Sequence, residues 1–280
     1  MAIKDIFLPL VGEPNAAAIA AIDKCMAVAG DFGARVTAIA VEEDLLVRPK
    51  VVISSDLENA AAAAALRSVS DARGLLKAFD AAANRFGVRG EHRLDRPRSA
   101  KIPENFVEPA RLADLSMVPI KPDDSRSEEV AERLIFESGR PILMCPEETA
   151  TELPVVFDRV MIAWDHTAPA ARAVADALPM LQDAAEVRIV TATDEKSQAE
   201  VDSGAALVRH LSEHGVNATF EAIRIDGSSV GKVFEAYVKK NAIDLLVMGA
   251  YRHSRLNEIV WGGATKTVIG RPPCWVMMSR

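Results

Sequence analysis

Residues 159–178, RVMIAWDHTAPAARAVADAL, can be laid without a gap on residues 5–22, DIFLPLVGEPNAAAIAAI, pairing Ile162 with Leu8 and Asp165 with Val11. Each stretch reads as a short apolar strand, a turn and an alanine-rich helix. The correspondence continues along the chain. ARVTAIAVEED (34–44) parallels AEVRIVTATDE (185–195), RLADLSMVPI (111–120) parallels NAIDLLVMGA (241–250), and RPILMC (140–145) answers CWVMMS (274–279). Both halves therefore read as strands alternating with helices and ending on a fifth strand. Near-continuous apolar strands separated by helices imply parallel sheets covered on both faces, because parallel neighbours need crossover connections and the helices of right-handed crossovers pack there.

The helices are legible in their composition. Residues 58–87, ENAAAAAALRSVSDARGLLKAFDAAANRFG, are strong helix formers with Gly87 placed as a stop and Gly74 as an internal cost. SGAALVRHLSEHG (203–215) ends the same way at Gly215. TATELPVVFD (149–158) carries a proline and no periodicity, and reads as a linker. The expected organisation is a first domain over 1–148, a linker over 149–158 and a second domain over 159–280, a division suited to a chain of 280 residues.

A net charge of −7 argues against nucleic acid or an anionic membrane surface as the main partner, since phosphate binding normally shows as a basic excess. The opening MAIKDIFLPLVGEP lacks the pattern of a signal peptide, and no apolar run is long enough to span a bilayer, so a cytoplasmic location is expected. Cys25, Cys145 and Cys274 are isolated among apolar neighbours and read as buried, reduced thiols.

The glycines after the fourth strand of the second half point to a ligand. In MGAYRHSRLNEIVWGGATKTVI (248–269), an apolar strand ends at Gly249, twelve residues intervene, and Gly262-Gly263 precede a helical pattern. Ligands of open parallel sheets sit beyond the carboxyl ends of the strands. Glycines at a helix start leave backbone N–H groups uncovered, where the helix dipole favours an anion. The competing reading is a tight turn at Gly249 and a loop at Gly262-Gly263. Neither G-x-G-x-x-G nor G-x-x-x-x-G-K-[ST] follows the first strand in either half, which excludes ordinary NAD enzymes and P-loop ATPases.

Through RVMIAWDHTAPAARAVADAL, DLLVMGAYRHSRLNEIVWGGATKTVI and the closing PPCWVMM, the whole chain resembles a tandem universal stress protein of the UspA family. The resemblance implies two doubly wound domains of the adenine nucleotide alpha hydrolase-like type, each a five-stranded parallel sheet in the order 3-2-1-4-5. Nucleotide-binding members carry G-x-x-G, nine residues, then G-[ST]. Here Gly249 and Gly262 match the first and third glycines, Arg252 replaces the second, and Gly263 replaces the hydroxyl residue. Asp165 matches the family's acidic residue after the first strand, although Asp165, His166 and Thr167 are also helix-cap candidates. The expected nucleotide site comprises Ala163, Trp164, Asp165, Thr191, Ala192, Met248, Gly249, Arg252, His253, Gly262, Gly263, Ala264 and Thr265, holding ATP or another adenine nucleotide with or without Mg2+. The family's pairing through final strands implies that residues 141–145 and 275–279 lie antiparallel, and a homodimer is a further expected assembly.

In the first half the same template meets Val11, Pro119 and the pair Glu128-Glu129, with the connecting loop IKPDDSRS shorter. Two glutamates would occupy the place an anion wants, so this half is expected to bind no nucleotide and to seal its loop with its own side chains. His210 and His214, four apart, lack a third metal ligand and read as surface residues; Trp261 and Trp275 read as core or interface. The apolar stretch LLVRPKVVISSDL (45–57) covers either a domain edge or a partner. No nucleophile is paired with a base, so catalysis is not expected. The alternative to a nucleotide-binding stress protein is a UspA-like interaction module whose cleft is filled by Arg252 and Trp164. An ATP-consuming enzyme would want a motif such as S-G-G-x-D-S where AWDHTAPA stands.

Overall fold

The computed structural model describes residues 2–42, 55–96, 104–148, 153–194, 198–250, 252–255, 258–261 and 263–280. The first half runs β1 (Asp5–Leu10), α1 (Ala16–Asp31), β2 (Arg35–Val41), α2 (Ser55–Phe86), β3 (Gly90–Asp95), α3 (Glu104–Leu112), β4 (Leu115–Ile120), α4 (Ser125–Glu137) and β5 (Ile142–Pro146). The second runs β6 (Arg159–Ala163), α5 (Ala168–Asp183), β7 (Glu186–Ala192), α6 (Gln198–Glu213), β8 (Ala218–Ile223), α7 (Val230–Asn241) and β9 (Leu245–Gly249). It then adds a hairpin of β10 (Arg252–Arg255) and β11 (Glu258–Trp261) before α8 (Gly263–Gly270) and β12 (Trp275–Ser279).

All ten long strands form one sheet, ordered β3-β2-β1-β4-β5-β12-β9-β6-β7-β8. Within each half the neighbours are parallel and follow the doubly wound order 3-2-1-4-5. At the centre β5 and β12 run antiparallel, with Met144 opposite Val276, Leu143 opposite Met277 and Ile142 opposite Met278. That reversal is what a local two-fold between the halves requires. The pairing also satisfies two rows of backbone groups that would otherwise form exposed strand edges.

Strand residues point alternately to the two faces, so each strand feeds two cores. Leu143, Cys145, Trp275 and Met277 join the layer covered by α1, α2, α5 and α6; Ile142, Met144, Val276 and Met278 join the layer covered by α3, α4, α7 and α8. Both cores are continuous across the two halves. The intervening chain also packs: Val155 is buried, and the Phe157 ring lies 5.6 Å from that of Trp275 in an edge-on arrangement.

Helix ends follow the sequence signals. Asn15, Asp124, Thr167 and Ser229 cap α1, α4, α5 and α7 with side-chain oxygens accepting backbone N–H bonds. Gly87 and Gly215 follow α2 and α6 in the left-handed region, at φ 65° and 76°, where a side chain would be strained. Gly74 has a contact reason: a Cβ there would come within 2.7 Å of Pro14 Cγ. The apolar 45–57 stretch falls largely outside the described residues. No helix among the described residues is long and apolar enough to cross a membrane.

Candidate functional site

The second half has a cleft of about 580 Å³ at the carboxyl ends of β6, β7 and β9. In sequence order β6 stands between neighbours that leave in opposite directions, so the cleft sits at the switch point of the sheet. Its walls include Ala163, Trp164 and Asp165 after β6, Thr191 and Ala192 of β7, Met248 and Gly249 of β9, and Gly263, Ala264 and Thr265 of α8. Ten of the thirteen residues expected from sequence thus meet around one space. Gly262 and the side chains of Arg252 and His253 lie outside the described residues.

Five further lining residues escaped the sequence reading as ligand contacts: His166, Ser203, Ser229, Val230 and Phe234. Ser229 had a legible signal, since GSSVGK places serine at a helix start, but nothing local says that this start faces the cleft. Ser203 and Phe234 come from α6 and α7, and only the crossovers bring them there.

Trp164 is part of the wall. Its indole N–H donates to Ser203 Oγ at 2.9 Å, and its carbonyl accepts from Thr191 Oγ1 at 2.8 Å, tying β6 to α6 and β7. Trp164 is 9% exposed and the space beside it is open, so this residue alone does not fill the cleft; the Arg252 side chain, the other part of that alternative, lies outside the described residues. Phe234 is set by α7, whose far end is anchored by a polar network. Tyr237 OH donates to Glu221 Oε2 at 2.7 Å, and Arg188 Nη1 donates to Asn241 Oδ1 at 2.7 Å. Burial of the phenol, opposed by its contact with Arg188, raises the Tyr237 pKa, so the hydroxyl remains a donor.

The two described glycines of the motif differ in purpose. A Cβ on Gly249 would lie 2.5 Å from Ala170 N and 2.6 Å from Pro169 C, backbone atoms of α5. Close approach of α5 to β9 therefore demands this glycine for packing, while its backbone still lines the cleft. A Cβ on Gly263 would meet nothing within 4 Å. This residue opens α8 beside the cleft, where the first N–H groups of a helix lack intrahelical acceptors. The chain before it is also more regular than expected, because a four-residue antiparallel ladder pairs Arg252 with Trp261 and Arg255 with Glu258.

Asp165 is the carboxylate among the described lining residues. Its Oδ1 accepts from Thr167 N–H at 3.1 Å and from Thr167 Oγ1 at 2.6 Å, while Thr167 itself caps α5. Between them His166 is exposed, with φ 61° and its ring centroid 6.0 Å from that of Trp164. Holding a residue other than glycine in that region costs on the order of 1–3 kcal/mol.

The corresponding place in the first half is divided. One cavity of about 140 Å³ and another of about 40 Å³ share Val11, Gly12, Glu13 and Arg126, and residues of α2 such as Arg67 and Asp71 close the larger one. Glu128 lies in the first turn of α4, the helix start expected for it, but neither it nor Glu129 lines these two cavities. The Glu128 carboxylate lies against Gly270 across the seam, with Oε1 3.2 Å from an ideal Cβ, and Glu129 is exposed.

Other chemistry finds little support here. The three cysteines are free and buried. A hydrogen bond with Cys145 and burial both raise the Cys25 pKa, and burial raises that of Cys274, which disfavours thiolates. The His210 and His214 rings stack edge-on at 4.9 Å, and no cluster of three metal-ligating side chains occurs among the described residues.

Fold and cleft together define a duplicated, doubly wound α/β protein with a ligand-sized opening in its second half. Residues 157–280 match the model of the Universal stress protein family. No curated protein sequence matches the chain. Among solved structures, it is similar to a universal stress protein from Archaeoglobus fulgidus DSM 4304, at 16% identity and TM-score 0.67, covering 99% of this chain and 96% of that one. A functionally unknown protein from Pseudomonas aeruginosa PAO1 aligns at 13% identity and TM-score 0.58, covering 99% and 92%. The cytoplasmic domain of a prokaryotic cation chloride cotransporter aligns at 12% identity and TM-score 0.51, covering 99% and 96%. One duplicated fold thus serves proteins of different description, and function must be argued from the site.

Proposed function

We propose that the chain is a cytoplasmic, non-enzymatic tandem universal stress protein whose second domain holds an adenine nucleotide, ATP among them, while the first domain serves as its structural partner. The observation that carries this reading is the cleft of about 580 Å³ at the switch point, with Gly263 facing open space at the start of α8. That size suits a nucleotide, since small-molecule sites commonly measure about 300–1,000 Å³. Trp164, Met248 and Phe234 offer apolar and aromatic surface for a base. The backbone amides of Gly263, Ala264 and Thr265 offer donors for a phosphate, favoured there by the dipole of α8. At the equivalent strand ends of the first half, the cavities of about 140 and 40 Å³ are too small for the same guest.

The test combines mass spectrometry of small molecules released by acid from freshly purified protein with titration of ATP, ADP and AMP, each with and without Mg2+. Saturable binding that is weakened by Gly263→Asp supports the reading. Wild-type protein that neither carries nor takes up a nucleotide removes it and favours an interaction module. Loss of ATP to ADP during the titration, beyond a protein-free control, would overturn the non-enzymatic part, and sedimentation at micromolar concentration reads whether two chains associate.

A further inference from the structure

Among the residues lining the cleft, His166 combines exposure, a left-handed backbone and a titratable side chain. The turn from β6 into α5 is held by its neighbours: Asp165 accepts both Thr167 donors, and Thr167 Oγ1 accepts from Ala170 N–H at 3.4 Å. The His166 ring nitrogens have no hydrogen-bond partner among the described residues, and the ring leans toward the indole of Trp164 at an interplanar angle of 41°. Described lining residues come from β6, β7, α6, α7, β9 and α8 and from the turn after β6. The titratable groups among them are Asp165, turned onto Thr167, and His166 itself. Among the described lining residues, His166 is therefore the one imidazole, the side-chain type that passes from neutral to cationic near neutral pH.

We propose that His166 contacts the ligand, donating from its imidazolium to the anionic group of the bound nucleotide, so that binding takes up a proton. This rests on the nucleotide reading above and adds a regulation to it. The left-handed backbone is then the means by which an imidazole is brought to the cleft mouth at the entrance to a helix. The sign follows from linkage: an anion that binds the protonated ring better raises the ring's proton affinity. The gain is complete at low pH and is lost as pH rises through the value set in the complex.

The test is calorimetric titration with cyclic AMP between about pH 5.5 and pH 8. A phosphodiester keeps a constant charge over that range, whereas a phosphomonoester loses its second proton near pH 6. Adenosine is the uncharged control. Cyclic AMP affinity should be about five- to tenfold higher at the acid end, as expected for a gained charge-assisted hydrogen bond, and adenosine affinity should be flat. His166→Asn, a residue that tolerates the left-handed region, should fold and should remove the slope while keeping the affinity seen near pH 8.

Cyclic AMP binding without a slope, or a slope that survives His166→Asn, overturns the proposal and leaves the nucleotide reading standing. Binding of adenosine alone overturns the anion contact. Failure of both ligands to bind at every pH overturns the proposal, and the ATP, ADP and AMP titration described above decides separately whether the nucleotide reading stands. Should His166→Asn fail to fold, the imidazole resonances of wild-type protein, followed by NMR with and without cyclic AMP, decide the matter: a ligand-induced rise in the pKa of His166 is expected, and its absence refutes the contact.

Discussion

Gly249 and Gly263 look alike in the sequence motif, yet their surroundings assign them opposite sensitivities. Gly249→Ala drives a methyl into the backbone of Pro169 and Ala170, atoms that cannot rotate aside. It should destabilise the protein by about 1–3 kcal/mol in urea unfolding, as overpacking does. Gly263→Asp places a carboxylate in open space at a helix start, where it complements the dipole by roughly 0.3–1 kcal/mol. Its stability should hold or rise slightly while nucleotide affinity falls at least tenfold, because the new charge occupies the anion's place. A parallel loss of stability and affinity would deny that separation. Glu147 offers a test by pH. Burial raises its pKa despite the opposing pull of Lys121. Raised in the folded state, this group contributes stability fully below the unfolded carboxylate range, and the contribution is lost as pH rises through the folded value. Glu147→Gln should therefore raise the melting temperature near pH 7, with the advantage shrinking as the pH is lowered through the carboxylate range.

At the scale of elements, the cleft depends on where helices begin. α5, α7 and α8 present N-termini at the carboxyl edge of the sheet, and two of those starts carry sequence-legible caps in Thr167 and Ser229. Thr167→Ala removes both the cap of α5 and the hydroxyl that holds Asp165. A loss of about 1 kcal/mol is expected in chemical unfolding. The freed carboxylate should also disturb the turn that presents His166, which near-ultraviolet circular dichroism from Trp164 can follow. The helices were readable from alanine content, caps and glycine stops. Less legible were the hairpin after Gly249, where a polar run reads as loop, and the overhang of α2 on the first-half cavity. The residues of α2 that close it, Arg67 and Asp71, sit in a long helical run with no local mark of their role.

Across the whole molecule, β5 and β12 join the halves into one sheet with two shared cores. Arg271 pairs with Asp123 at 2.8 Å, and the Arg280 guanidinium lies 5.0 Å over the Phe136 ring along the same seam. Both arginines are surface groups, so the buried apolar strands dominate the attachment. The intact chain should unfold in a single transition by calorimetry and by tryptophan fluorescence. The isolated segment 159–280 should expose the edge of β12, with Val276, Met277 and Met278, and associate through it; sedimentation showing a stable monomer would contradict this. Replacing Met277, buried at the pairing with Leu143, by lysine should unfold or split the seam, at a cost of several kcal/mol for an unpaired buried charge.

By itself the sequence determined the duplication, the order of strands and helices, the glycine stops at Gly87 and Gly215, the cap candidates at the start of α5, and the set of strand-end residues that meet at the cleft. These are consequences of local periodicity and of a parallel sheet placing every strand's carboxyl end on one edge. Only the tertiary structure decided which glycine is needed for packing, which cleft is open, and that Ser203, Phe234 and His166 share a space with Gly263. Those outcomes depend on distances between segments far apart in the chain: the close approach of α5 fixes Gly249, and the lie of a helix over the strand ends leaves one cleft open and divides the other.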